Sequence, residues 1–189
     1  STEMNTFELM LYRSVIGFFI VSLVLSRSQR GFSQIRTHRA KDHISRNVVH
    51  FTGQNLWFFG IGIVPLSQLV AIEFTNPIWV ALLAPLLLGE KMTGTKVVVA
   101  ALGFIGVLIV AQPGVQPVNW GHAAGMGAAV GFALNTILTR KLMQYDTVLC
   151  VLFWMTLMQA GFALVLSLPG GIPIPTAQTM PWLAVVAVA

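Results

Sequence analysis

Charge is what this sequence has least of. Only 9% of its 189 residues are Asp, Glu, Lys or Arg, against roughly a quarter in soluble domains, which leaves too little polar surface for a water-exposed globule. A single cysteine, Cys150, lies inside an apolar run and excludes an intrachain disulfide framework. HExxH, paired Cys/His sets and GxSxG are all missing, so zinc-protease and serine-hydrolase chemistry have no support. No catalytic residue, metal or cofactor is expected, and the chain does not read as an enzyme. Alternating segments of about ten residues, the mark of a membrane barrel, are missing too.

Long apolar runs are what the chain has instead. Hydrophobic residues make up 56% of it, and runs of about 20 recur along its length, which predicts an all-α, polytopic transmembrane helix bundle. The expected spans are 7–25, 48–64, 66–88, 95–111, 120–138 and 148–168, with a seventh running up to residue 189. A start at Ser1 without Met and an end inside an apolar stretch suggest a partial chain.

The net charge of +5 is explained by where the charges fall. Six of the eleven basic residues lie between Arg27 and Arg46. Loop 26–47, turn 89–96 and link 139–147 are basic, whereas the connections at Pro65, 112–119 and 169–179 carry no charge. Basic and uncharged loops alternate across the seven spans, so by the positive-inside rule the basic ones are cytoplasmic. Anionic headgroups could also bind the 26–47 loop, but topology alone accounts for its charges. Nucleic acid is not an expected partner. A small-molecule solute and the lipid bilayer are, with a homodimer left open.

Two charges fall inside spans, Arg13 and Glu73. Each costs up to about 2.5–3.5 kcal/mol at a helix centre, so each must be paired or used. Both lie roughly 10 Å below the outer edge at 1.5 Å per residue, a depth that permits an ion pair. Pro77 removes the hydrogen bond to the Glu73 carbonyl and adds a second polar group beside the carboxylate, with Asn76 next to it. Gln54, Asn55, Trp57, Asn135 and Trp154 are polar or aromatic residues too deep for the interface. They join Arg13, Glu73, Asn76 and Pro77 as candidates for lining a solute or ion path. Interhelical hydrogen bonding accounts equally well for Asn135 and for Gln159. In the fifth span Gly121, Gly125, Ala129 and Ala133 recur every four residues, as do Gly127, Gly131 and Asn135. Such ladders let helix backbones approach closely. In the fourth, Ala100, Gly103 and Gly106 recur every three.

The run NPIWVALLAPLLLGEKMTGTKVVVAALGFIGVLIV resembles the most characteristic segment of the EamA domain, in the drug/metabolite transporter (DMT) superfamily. The resemblance rests on Pro77, the small-and-Leu run to Gly89 and Glu90, and a Gly-rich helix with Gly103 and Gly106. LYRSVIGFFI, with Arg13, is similar to the family's second helix, and WGHAAGMGAAVGFALNTILTRKL to the first helix of its second repeat. The resemblance implies a ten-helix carrier of two inverted repeats, of which about helices two to eight are present. Residues 1–114 would be most of the first repeat and 115–189 the start of the second. It also implies a permease of the bacterial inner membrane, moving amino-acid-like, nucleotide-related or drug-like solutes by alternating access. Glu90 would then be a helix-end partner for Lys91, Lys96 or Arg140. A non-transporting structural or regulatory subunit is the alternative. An embedded enzyme acting on lipid-linked substrates is weaker, because only one acid and one base share a depth.

Overall fold

The computed structural model describes residues 6–111 and 119–168, and within them the chain is helical, with no strand. The seventh span, Trp182 and loop 169–179 lie outside the described residues, as does nearly all of loop 112–119. The helices are α1 (Thr6–Arg27), α2 (Ala40–Ile61), α3 (Leu66–Glu73), α4 (Asn76–Leu88), α5 (Gly94–Ala111), α6 (Trp120–Leu142) and α7 (Val148–Ser167). A short 3-10 helix, Gly31–Ile35, lies between α1 and α2.

Three stretches are long and apolar enough to cross a membrane: Phe7–Arg27, Leu66–Leu88 and Val148–Ser167. Their outward side chains are large and apolar, among them Phe19, Leu86 and Val165. Such a surface is at home in hydrocarbon, where apolar groups need no cover. The chain is an integral membrane protein.

Two expectations are corrected. The second span does not begin at residue 48, because α2 starts at Ala40. Asp42 occupies its first turn, where the positive end of the helix dipole favours a carboxylate, and Arg39 lies 3.7 Å from it. His43, Arg46 and Asn47 are therefore helical and buried rather than part of a polar loop. The third span is also not one helix: it breaks into α3 and α4 at Phe74 and Thr75.

The chain forms two compact units, one of residues 1–47 and 142–189, the other of 48–141. In the first, α1 packs along α7, with the Phe18 and Phe153 ring centroids 5.3 Å apart. In the second, α3 and α4 both pack against α5. The α6 ladder works on two faces. A Cβ at Gly125 would sit 2.7 Å from Leu69, whereas one at Gly131 would lie 3.2 Å from the Gly53 Cα. Ala128, Ala129 and Ala133 are fully buried between them. The α2–α6 crossing is thus a close backbone-to-backbone contact at Gly53 and Gly131, where an added Cβ would be tight, and it fixes the part of α2 that carries Trp57.

Candidate functional site

Pro77 shapes the site by what it cannot do. It has no N–H for the Glu73 carbonyl, so α3 stops at Glu73 and α4 restarts at Asn76. Proline then sits in the first turn of α4, where a missing N–H costs nothing. Thr75 staples the break. Its Oγ1 donates to the Ile72 carbonyl at 2.6 Å, and its own carbonyl accepts from Ile78 N at 2.9 Å.

The break leaves Glu73 as the last residue of α3, half-buried. Trp57 Nε1 donates to Glu73 Oε2 at 2.9 Å. The two residues lie symmetrically about the Pro65 turn, eight positions to either side, which brings them level on neighbouring helices. A hydrogen bond to a carboxylate is roughly twice as strong as a neutral one, so the indole both orients Glu73 and moderates the cost of its charge.

The other expected residues divide. Asn76 and Pro77 line a cavity of about 390 Å³ between α4, α5 and α6, with Val80 and Ala84 on its apolar wall and Lys96 and Arg140 at its edge. That volume lies within the range of small-molecule sites. Asn135 presents a buried Oδ1 that has no hydrogen-bond partner, a deficit a native protein rarely leaves without a reason. Asn55 is occupied locally, donating to the Phe51 carbonyl at 2.7 Å. Gln54 is half-buried on α2. Arg13 belongs to the other unit and is exposed on α1. Trp154, also in that unit, donates from Nε1 to the Ile35 carbonyl at 3.0 Å and so anchors the 3-10 helix.

Glu90 follows Gly89, whose φ of +67° ends α4 in the left-handed region that glycine favours. Its carboxylate takes Lys96 Nζ at 2.6 Å and Arg140 at 3.2 Å. Those hydrogen bonds, Lys96 first and Arg140 second, hold the Glu90 carboxyl below the usual carboxylate range.

A second polar cluster, in the first unit, was not legible as a motif. Asp146 Oδ2 accepts from Thr37 Oγ1 and pairs with His43 Nε2, each at 2.8 Å. Asn47 donates to the His43 carbonyl at 2.9 Å, and the Asn47 carbonyl accepts from Gln159 Nε2 at 3.1 Å. Gln159 is therefore an interhelical hydrogen bonder. Apart from the Asn47–His43 bond within α2, these partners are separated by more than a hundred residues in the chain, so no local spacing announces them.

The EamA-like transporter family matches this chain over residues 1–112. An S-adenosylmethionine uptake transporter of Rickettsia bellii is 28% identical over 161 residues, which cover 84% of this chain and 54% of that protein. A riboflavin transporter of Rhizobium johnstonii is 27% identical over 165 residues, covering 87% and 54%. The chain thus spans about half the length of these curated relatives. A crystal structure that is 18% identical superposes with a TM-score of 0.72 over 99% of this chain and 65% of its own, a likeness of fold alone.

Proposed function

The chain belongs to the EamA-like transporter family, and from that premise we propose that it is part of a secondary carrier of small metabolites that works by alternating access. Its residues 1–114 are most of one EamA repeat and 115–189 the start of a second. Its basic segments, residues 26–47, 89–96 and 139–147, lie on the cytoplasmic side of a bacterial inner membrane.

The observation that carries this reading is the Glu73–Trp57 pair at a helix break whose next residues, Asn76 and Pro77, line a cavity. Interrupted helices at solute sites are a recurrent device of membrane carriers, because the freed backbone and a nearby carboxylate together make a polar spot in an apolar wall. In this assignment Glu73 accepts a proton or an N–H group of the solute. Trp57 holds the carboxylate and offers a ring face. Asn135 supplies an amide oxygen that has no protein partner.

S-adenosylmethionine and riboflavin, the solutes named for the two relatives, share a flat heteroaromatic ring with N–H donors. That chemistry suits an indole beside a carboxylate acceptor, so we assign the carrier to heteroaromatic solutes of this kind. The test is uptake of labelled S-adenosylmethionine and riboflavin into liposomes holding the full-length protein. Saturable uptake of at least one, inhibited by an excess of the same unlabelled compound, is expected. Absence of uptake or efflux for any metabolite tried would favour a structural subunit.

A further inference from the structure

We propose that His43, Asp146 and Cys150 form a binding site for a divalent cation of the zinc class, independent of the solute path. One ligand atom from each lies within 4.8 Å of the other two. His43 and Cys150 are fully buried, and the Asp146 side chain is 9% exposed. Nitrogen, carboxylate oxygen and sulfur together are the donor set that zinc accepts, whereas magnesium and calcium require oxygen throughout.

The geometry needs little adjustment. Ligands about 2.0–2.3 Å from a tetrahedral ion stand roughly 3.3–3.7 Å from one another. His43 Nε2 and Asp146 Oδ2, now 2.8 Å apart, must open by about half an ångström, and the cysteine must close by no more than about one. On binding, the thiol of Cys150 releases its proton to solvent and becomes the thiolate ligand. His43 coordinates as the neutral ring, with its proton on the other nitrogen. A water completes the fourth position.

A further feature supports a ligand here. Thr37 Oγ1 already donates to Asp146 Oδ2 at 2.8 Å, as outer groups do when they orient a metal-binding carboxylate. The ion would join the start of α7 to the N-terminal part of α2, a clip closed across more than a hundred residues of chain.

The experiment uses the full-length protein in detergent, stripped with a chelator and titrated with Zn2+ and, as a spectroscopic probe, Co2+. About one ion per chain is expected, with a cobalt–thiolate charge-transfer band that Cys150→Ser abolishes. Thr37→Val should weaken Zn2+ binding by about 10–100-fold while the protein stays folded. Zn2+ should also raise the Tm of the wild type where Mg2+ does not, a reading that needs no variant. A wild type whose Tm ignores Zn2+, or a cobalt spectrum without a thiolate band, overturns the site.

Discussion

Asp146 and Glu73 are carboxylates that the chain treats differently. Asp146 is packed beside the fully buried His43 and takes two hydrogen bonds, from Thr37 and His43. Glu73 is half-buried at the end of a broken helix and takes an indole N–H. The first arrangement is what a carboxylate looks like when it holds segments together. The second leaves acceptor capacity at a helix break whose next residues, Asn76 and Pro77, line a cavity, which is how a group that must meet something else is placed.

Stability should separate the two sites most strongly. Asp146→Ala leaves His43 and Thr37 without their acceptor and should cost about 1–3 kcal/mol, read as a fall in Tm of the purified protein. Glu73→Gln keeps an oxygen for Trp57 and should cost less than about 1 kcal/mol in the same measurement. A larger loss at Glu73 than at Asp146 would break the contrast.

Trp57→Phe sharpens it from the other side. Removing a single N–H donor from Glu73 while keeping a ring should slow uptake by about tenfold or less, equivalent to roughly 0.5–1.5 kcal/mol. The check is initial uptake rate per folded carrier.

The smallest effect is expected at Glu90. Its partners lower its pKa, so the pairing contributes above the ordinary carboxylate pKa and is lost only as the pH falls through the lowered value. Open to solvent on one side and screened there, the pairing should contribute little. Any Tm gap between wild type and Glu90→Gln should be small at neutral pH and close only at acid pH, as followed by Tm against pH.

Much of this contrast could be read from the sequence on one side only. The all-helical membrane architecture followed from run length, and the polar spot followed from Glu73 and Pro77 four residues apart. The Trp57 partner was legible in principle, since Pro65 bisects the interval from Trp57 to Glu73. The start of α2 was obscured because its first two turns carry Lys41, Asp42, His43 and Arg46, which look like loop. Those side chains are accommodated by contacts far along the chain: Arg46 donates to Met155 Sδ at 3.4 Å and His43 meets Asp146. Periodicity reports which face of a helix is apolar, but it is silent on which distant residue will satisfy a buried polar group. For the same reason the His43, Asp146 and Cys150 cluster has no spacing motif.

The central claim is that Glu73 works on the solute while Asp146 works on the fold. Its most direct test is uptake of S-adenosylmethionine and riboflavin by liposomes loaded with equal amounts of folded wild-type, Glu73→Gln and Asp146→Asn carrier. Loss of a charge-assisted contact predicts a fall of about 10–100-fold for Glu73→Gln, with Asp146→Asn transporting at the wild-type rate per folded molecule. Uptake by Glu73→Gln at the wild-type rate would contradict the account and make the carboxylate structural.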